Sequence, residues 1–313
     1  MDEELYKDFD GLPLLDLYNQ ESLRSAKNYK PRRGDIILVS YPKSGSNWTQ
    51  FIIWNIMTRG QQPKDIMELG LMSPFLEVTG ATVVEDSCRT GPIATHFPYN
   101  VFPPVDQAKY VYVARNPYDC AVSMHHFLKG LTPKTYMDVS FDKFLRLFLS
   151  GKAFYGDYFD HVLPWYEHRH QPNILFITYE QLQADTKGMV LKIAHFLGPE
   201  HAATCRDDTV VQKILRNCSM ESMRAILKEN VSARSKKIAE KVSEKYLQRH
   251  DMTDKTPEGN TEMHEGGQFV RKGLVGEWKE YFTIEQIART KKWITERTQG
   301  SDVMSLWEDL RLP

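Results

Sequence analysis

Several features that define whole classes of proteins are scarce in this chain of 313 residues. It has 4 cysteines, none in a Cys-x-x-Cys pair, and its length allows a large core without disulfides. We therefore expect reduced thiols in a cytoplasmic protein. The densest apolar run, residues 51–57, is far shorter than the ~18 residues of a membrane span. The acidic start of the sequence also lacks the positive charge and apolar run of a signal peptide.

An excess of charge of either sign is also absent. Lys and Arg number 40, Asp and Glu number 41, and the formal net charge is -1. This balance argues against binding to nucleic acids or membrane surfaces, although it allows a local basic pocket. We see no cluster of His, Cys and carboxylate residues with the spacing of metal ligands, and we expect no metal.

Short apolar runs alternate with helical patterns along the chain. The runs predict strands at 36–41, 91–95, 109–114 and 173–178. The helical patterns predict helices at 47–58, 117–129 and 186–197. This alternation predicts an α/β fold with a mostly parallel central sheet flanked by helices, and we expect one domain over residues 1–313. Ligands bind at the carboxyl ends of parallel strands, where Lys43, Arg115 and Tyr179 would lie.

The stretch at 231–267 does not fit this alternation. Residues 231–250 are polar and basic and favour a helix, whereas residues 251–267 are rich in Gly, Pro and Thr. A long loop within a compact domain is usually functional or mobile. Two interpretations stay open: a solvated surface insertion, or a lid over the site.

The loop Tyr-Pro-Lys-Ser-Gly-Ser-Asn-Trp at 41–48 joins a predicted buried strand to a predicted helix. Helix N-termini present unpaired N–H groups and a partial positive charge, which suit an anion. Gly45 would let the backbone approach a ligand, Ser44 and Ser46 add hydroxyl donors, and Lys43 adds a positive charge. The spacing of a Walker A motif is missing. The loop therefore predicts either a phosphate or sulfuryl site, or a plain turn.

Three other stretches carry candidate functional residues. Arg115 follows a predicted strand and Ser123 lies about two turns into the next helix, so Arg115 could grip a phosphate or form a structural ion pair. Arg271 and Lys272 stand next to a glycine and could form a dense positive site or a solvated surface. His96 follows a short strand and could act as a general base, although most histidines are structural.

Taken together, these stretches resemble the cytosolic sulfotransferases. The loop at 41–48 is similar to their 5′-phosphosulfate loop, and Val-Ala-Arg-Asn-Pro-Tyr-Asp-Cys-Ala-Val-Ser at 113–123 to their 3′-phosphate strand and helix. The segment at 271–283 resembles their RKGxxGDWK signature, with Glu277 in place of Asp, and 94–98 resembles the segment of their catalytic histidine. The four stretches occur in the family's order, and the resemblance runs from about Asp35 to Phe282.

The resemblance implies the donor 3′-phosphoadenosine-5′-phosphosulfate (PAPS), the product 3′-phosphoadenosine-5′-phosphate (PAP) and transfer of a sulfuryl group to a small acceptor. It implies His96 as the general base, with Lys43 and Ser123 as the other catalytic residues. It implies a donor site formed by Lys43, Ser44, Gly45, Ser46, Asn47, Trp48, Arg115, Ser123, Tyr179, Cys218, Met220, Arg271, Lys272 and Gly273.

The acceptor pocket implied by the resemblance is aromatic. Phe75 and Phe127 would line it beside His96, which suits a phenol or a phenolic amine such as a catecholamine. Ordinary core packing is the other interpretation of both rings. The carboxylate of Glu77 or Asp86 would pair with the ammonium of such an amine.

The chain departs from the family pattern at three places in the site. Ala94 occupies the position where many members carry Lys, two residues before the catalytic histidine. Cys218 and Met220 stand where the family usually has Thr and an aromatic residue. These changes motivate an alternative, a catalytically weak nucleotide-binding protein of the same fold. The missing Walker A spacing disfavours a P-loop kinase or NTPase.

A possible dimer contact lies near the C-terminus. Lys279, Thr283 and Ile284 match the start of the family's short dimer motif, whereas Ala288 replaces its closing Glu. We expect a possible homodimer on this basis.

Overall fold

The computed structural model describes residues 6–15, 18–86, 89–131, 139–227 and 272–313. Its strands are β1 (Tyr6–Phe9), β2 (Leu12–Leu15), β3 (Ile36–Val39), β4 (Ile93–Thr95), β5 (Lys109–Ala114) and β6 (Ile174–Thr178). Its first helices are α1 (Gln20–Asn28), α2 (Ser46–Met57), α3 (Ile66–Met72), α4 (Leu76–Asp86), α5 (Pro117–Leu131), α6 (Phe141–Leu149) and α7 (Tyr158–Glu167). The later helices are α8 (Tyr179–Ala184), α9 (Thr186–Leu197), α10 (Pro199–Thr204), α11 (Asp208–Asn217), α12 (Met220–Ile226) and α13 (Ile284–Arg297). Two 3₁₀ helices span Glu277–Glu280 and Val303–Leu310.

A parallel sheet forms the centre of the molecule. Its strand order is β4–β3–β5–β6, and every neighbouring pair is parallel. The four strands and the helices α2, α5 and α9 lie where the alternation of apolar runs predicts them, within a few residues. The predicted α/β fold with a parallel central sheet flanked by helices is confirmed. The segment at 231–267 lies outside the described residues.

Two apolar cores lie on opposite faces of this sheet. Tyr110 and Tyr112 of β5 belong to one core, and Val111 and Val113 belong to the other. This alternation follows from the two-residue period of a strand. Helices α5, α6 and α7 contribute to the first core, and α2, α9 and α11 contribute to the second. Both faces of the sheet are covered, as is usual for parallel sheets.

The carboxyl ends of the four parallel strands meet at one edge. β3 leads into the loop at 40–45, and β4 ends immediately before His96. β5 ends immediately before Arg115, and β6 ends immediately before Tyr179. Thr178 is both the last residue of β6 and the N-cap of α8, and it forms a capping box with Gln181. The topology thus brings sequence-distant residues to one place.

Candidate active site

The loop between β3 and α2 presents an uncapped helix N-terminus. Gly45 is the N-cap residue of α2, has a left-handed backbone with φ of 107°, and offers no side-chain cap. Lys43 also has a positive φ, 70°, which is uncommon for a residue with a Cβ and often marks functional sites. Ser46 and Asn47 begin the helix and are partly exposed. The first N–H groups of α2 are therefore available to an anion.

Buried contacts support this loop from below. Ser44 is fully buried, and its N–H donates to Tyr41 O at 3.2 Å. The thiol of Cys120, on α5, donates to Pro42 O at 3.4 Å. Burial raises the pKa of Cys120 to about 12, so this thiol stays protonated. These contacts hold the base of the loop, while Ser46 and Asn47 stay partly exposed.

Helix α5 runs beside the loop and directs one stripe of side chains at it. Ser123 lies three residues after Cys120 and four before Phe127, so the three share a helix face. Cys120 touches the loop, and the Lys43 ammonium lies 4.1 Å from the centroid of the Phe127 ring. This arrangement turns the half-buried Ser123 towards the loop as well.

Arg115 is buried beneath the site without a carboxylate partner among the described residues. One Nη donates to Leu274 O at 2.9 Å, and the guanidinium lies 4.5 Å from the centroid of the Tyr179 ring. Its Nε is buried and has no hydrogen-bond partner in the described part of the chain. The structural ion pair considered for this residue is therefore not formed there. Arg115 brings a positive charge to the sheet edge without a direct ion pair among the described residues.

The segment at 272–278 closes the site from above. Gly273 has φ of 68°, and its carbonyl accepts hydrogen bonds from Tyr179 OH and Gln183 Nε2, both at 2.8 Å. Lys272 pairs with Glu277 at 3.2 Å and is 48% exposed, so it can reorient towards a ligand. Arg271, the other cation expected here, lies outside the described residues.

Asp119 anchors this segment and was not among the candidate residues. Its carboxylate accepts the N–H groups of Gly276 at 2.7 Å and Trp278 at 2.9 Å. It also accepts from Asn116 Nδ2 at 2.9 Å. An acidic residue in the first turn of a helix is common because it complements the helix dipole, so Asp119 carries no distinctive signal. Its long-range partners are invisible in the sequence.

Trp48, Cys218 and Met220 form one side of the site. The indole N–H of Trp48 donates to Cys218 O at 3.0 Å, and its ring lies 5.6 Å from the Tyr179 ring. The Cys218 side chain is buried. Met220 Cε would lie 2.8 Å from a Cβ built on Gly273. Cys218 and Met220, two of the three departures from the family pattern, thus pack beside Trp48 and Gly273.

His96 lies at the end of β4 with one ring nitrogen held by the backbone. Its Nδ1 lies 2.7 Å from Ser40 O, which can only accept, so Nδ1 carries the proton. Nε2 is then the basic nitrogen of a neutral imidazole. Burial, with smaller contributions from His161 and Lys43, lowers the pKa of His96 to about 3, although the hydrogen bond to Ser40 O raises it. His96 thus contacts the start of the loop that carries Lys43.

Aromatic rings surround this imidazole. The Phe75 ring centroid lies 4.9 Å from that of His96, and the Tyr155 centroid lies 5.5 Å away. Phe75 and Phe127 are only partly buried, so each keeps surface for a ligand. Glu77, in contrast, is fully buried and offers no carboxylate to a bound ammonium. The side chain of Asp86 lies outside the described residues.

The site combines groups that can bind an anion with a histidine that can accept a proton. A helix N-terminus and the cations Lys43, Arg115 and Lys272 lie at the same edge of the sheet, which suits the binding of an anion. A neutral imidazole stands next to Lys43, among aromatic rings. Groups of three or more His, Cys, Asp or Glu side chains placed to hold a metal ion are absent from the part of the chain described here. In the same residues, no helix has the length and apolar character needed to span a bilayer.

These features define an α/β protein with an anion site beside a basic histidine. The sequence profile of the family described as "Sulfotransferase domain" matches residues 33–302. The chain belongs to the sulfotransferase family, as its resemblance predicts, and it is a sulfotransferase.

Named relatives agree with this assignment. The amine sulfotransferase of Oryctolagus cuniculus is 29% identical over 300 residues, which cover 93% of this chain and 90% of the relative. Sulfotransferase 2B1 of Homo sapiens is 31% identical over 312 residues, which cover 97% and 77% of the two chains. The crystal structure of mouse sulfotransferase SULT7A1 complexed with PAP matches the present structure with a TM-score of 0.71 and 29% sequence identity. The match covers 97% of this chain and 99% of the mouse chain.

Proposed function

We propose that this sulfotransferase moves the sulfuryl group of PAPS to the hydroxyl or amine of a small acceptor. The preferred acceptor class is a phenol or a phenolic amine such as a catecholamine, and PAP is the product. One observation carries the proposal. The Nδ1–H of His96 is fixed on Ser40 O, which leaves a neutral Nε2 beside Lys43 and next to an anion site.

The residues at the sheet edge fit a nucleotide with two separate anionic groups. Gly45 has no Cβ where the helix N-terminus must approach a ligand, and a Cβ on Gly273 would meet Met220 and Tyr179. The buried guanidinium of Arg115 has an orphaned Nε ready for an acceptor. The PAP complex of mouse SULT7A1 supports this choice of donor. We assign donor binding to Lys43, Ser44, Gly45, Ser46, Asn47, Trp48, Arg115, Ser123, Tyr179, Cys218, Met220, Arg271, Lys272 and Gly273.

The donor supplies a sulfuryl group on a phosphate oxygen that is already a good leaving group. His96 Nε2 takes the proton of the attacking acceptor hydroxyl, whose pKa is about 10 in a phenol. The Ser40 carbonyl, which accepts from Nδ1–H, stabilises the imidazolium that forms. Lys43 and Ser123 stabilise negative charge on the departing side. Most of the catalysis is then positioning and charge stabilisation.

The low pKa of His96 in the free protein fits this role. Lys43 disfavours the imidazolium, and an anion bound at Lys43 would offset that positive charge. Because an opposite charge close to a histidine favours its protonated form, the pKa of His96 rises when the anion site is filled. The base therefore gains strength with the donor in place.

The acceptor pocket is proposed to lie around the His96 ring. Phe75, Phe127 and Tyr155 provide aromatic faces that suit a flat ring, and Phe75 and Phe127 keep exposed surface. Because Glu77 is enclosed, an acceptor ammonium would need a different carboxylate. The aromatic ring of the acceptor, more than its amine, is the feature that this pocket recognises.

We further propose that the enzyme is cytoplasmic, with one domain over residues 1–313 and a surface insertion or lid at 231–267. Three cysteines are free and buried, Cys120, Cys205 and Cys218, in keeping with a reducing compartment. A homodimer through the segment that begins at Lys279 is also proposed. Ile284 in that segment is 83% exposed and is therefore accessible to a partner subunit.

The test is transfer of radiolabelled sulfate from PAPS to a panel of phenols, catecholamines and steroid alcohols. We expect labelled phenols with the wild type and with His170→Ala, whose histidine is exposed, and a loss of at least about 100-fold with His96→Ala. Binding of PAP without transfer to any acceptor would favour the weakly catalytic nucleotide-binding protein. Hydrolysis of Mg-ATP without sulfuryl transfer would favour a kinase or NTPase.

A further inference from the structure

A buried carboxyl group adjoins the proposed base without touching the space for acceptor or donor. Glu77 lies in the first turn of α4 and is fully buried. Its Oε1 accepts the backbone N–H of His96 at 2.6 Å, Thr95 Oγ1–H at 3.1 Å and Tyr155 OH at 3.1 Å. Its Oε2 is buried and has no hydrogen-bond partner among the described residues.

This environment is costly for a carboxylate. Within the described residues, no Lys or Arg forms an ion pair with Glu77, and buried charges are ordinarily paired. Burial raises the pKa of Glu77 to about 7, although its hydrogen bonds, the one from His96 N–H above all, lower it. A glutamine would make similar hydrogen bonds without a charge. The presence of an ionisable residue here therefore indicates a role that depends on its charge.

His96 is held at three points by three different parts of the fold. Its N–H donates to Glu77, its carbonyl accepts from His161 Nε2 at 3.0 Å, and its Nδ1–H donates to Ser40 O. Tyr112 OH donates to His161 Nδ1 at 2.8 Å, which leaves the proton of His161 on Nε2. The carbonyl of Ser40 does not titrate, and burial lowers the pKa of His161 to about 4. Of the three partners of His96, only Glu77 therefore changes its charge near neutral pH.

We propose that Glu77 is a positioning residue, whose ionised carboxylate holds the backbone of His96 and thereby orients the imidazole for proton transfer. Hydrogen bonds to a charged acceptor are roughly twice as strong as neutral ones. Protonation of Glu77 weakens the bond to His96 N–H and loosens the base. The inference rests on the proposed role of His96, and it predicts an acid loss of activity that does not come from titration of His96.

The groups that face Glu77 do not titrate in the same range. Burial raises the pKa of both Tyr18 and Tyr155, so these phenols stay neutral. Burial lowers the pKa of His96 to about 3. The helix packed on α4, α1, carries Glu21 and Arg24, which are exposed, and Lys27, which pairs with Asp10.

The direct test is an NMR titration of the backbone amide of His96. The protein is isotope-labelled at its 10 histidines. The signal is identified by its disappearance in His96→Gln. In the wild type we expect it to shift with a midpoint near pH 7, the pKa of Glu77. In Glu77→Gln we expect no such titration. A flat wild-type signal, or the same midpoint in Glu77→Gln, overturns the proposal.

Two further variants keep the test decisive if Glu77→Gln does not fold. Tyr155→Phe and Thr95→Val each remove a donor that lowers the pKa of Glu77, so each should move the midpoint to higher pH. Tyr118→Phe is the matched control, because the Tyr118 hydroxyl is buried and makes no hydrogen bond among the described residues. It should leave the midpoint unchanged. Unchanged midpoints in both test variants overturn the proposal.

Activity gives the second readout. We expect kcat/KM for PAPS, which reports the groups of the free enzyme, to fall about tenfold for each pH unit below the wild-type midpoint near 7. In Glu77→Gln this acid limb should disappear down to the much lower pKa that His96 has in the free protein. The NMR titration needs no turnover. A wild type that transfers no sulfuryl group would therefore contradict the proposed function, while the amide signal would still decide whether Glu77 positions His96.

Discussion

Gly45 and Tyr179 approach so closely that a Cβ on Gly45 would lie 2.7 Å from Cδ2 of the tyrosine ring. The hydroxyl of the same tyrosine donates to Gly273 O at 2.8 Å. One side chain at the end of β6 therefore fixes both the N-terminus of α2 and the segment at 272–278. The spacing between these two anion-binding elements depends on the ring staying in place.

The first prediction concerns Gly45→Ala. The new methyl group would displace Tyr179 and would also strain the backbone, since φ is 107°. We expect PAP affinity to fall by at least about tenfold, which corresponds to about 1.4 kcal/mol. Calorimetric titration with PAP measures the loss.

Gly34→Ala is the matched control for this change. Gly34 has a similar φ of 88°, but a Cβ there would meet nothing within 4 Å. Both variants should lose about 1–2 kcal/mol of unfolding free energy from backbone strain, while Gly34→Ala keeps wild-type PAP affinity. Equal PAP affinities in the two variants would contradict the importance of the Gly45–Tyr179 contact.

The second prediction concerns Arg115→Lys. Lysine keeps the charge, but it loses the planar guanidinium that lies on Tyr179 and donates to Leu274 O. We expect PAP affinity to fall by about 10- to 100-fold, the range of one strong charge-assisted interaction. Arg169→Lys controls for the loss of stacking, because Arg169 lies 3.7 Å from the centroid of the Tyr166 ring. If both variants bind PAP equally well, Arg115 is a structural residue.

The third prediction concerns Asp119→Asn. The amide places an N–H₂ group against the N–H of Gly276 or Trp278, which are now held by carboxylate oxygens. The segment that carries Lys272 should loosen, and the KM for PAPS should rise by about tenfold, equivalent to one lost hydrogen bond. Asp142→Asn removes a comparable carboxylate that binds Arg289 and should leave this KM unchanged. The idea fails if Asp119→Asn also leaves it unchanged.

Local patterns predicted the frame of the molecule well. The apolar runs before Lys43, Arg115 and Tyr179 are strands, and parallel topology then places these residues at one edge. The hairpin of β1 and β2 was not predicted, although Asp10 and Gly11 carry its signal. Both have positive φ, 52° and 86°, as a two-residue hairpin turn requires.

The support behind the site could not be predicted from the sequence. Glu77 binds the backbone of His96, and Asp119 binds the backbone of Gly276 and Trp278. The sequence does not indicate which backbone N–H groups a carboxylate will bind, because every residue except proline supplies one. The place of Glu77 near the expected acceptor pocket suggested that its carboxylate would pair with an acceptor amine. Burial and hydrogen bonding show instead that the carboxyl group faces the protein.

The last prediction concerns stability at acid pH and His161. Burial lowers the pKa of this residue from 6.5 to about 4, so the unfolded chain binds its proton more readily than the folded chain does. The stability that neutral His161 contributes is present above pH 6.5 and is lost as pH falls towards 4. The loss should reach about 3 kcal/mol at 1.4 kcal/mol per pH unit.

His161→Gln removes this titration, so its free energy of unfolding should fall less steeply than that of the wild type below pH 6.5. Urea unfolding at several pH values measures the two slopes. His96 adds to the acid loss, whereas Glu77, whose pKa is raised from 4.5 to about 7, opposes it. Both groups remain in the variant, so their effects cancel in the comparison. The exposed His195→Gln should keep the wild-type slope, and equal slopes in all three proteins would show that folding leaves the proton affinity of His161 unchanged.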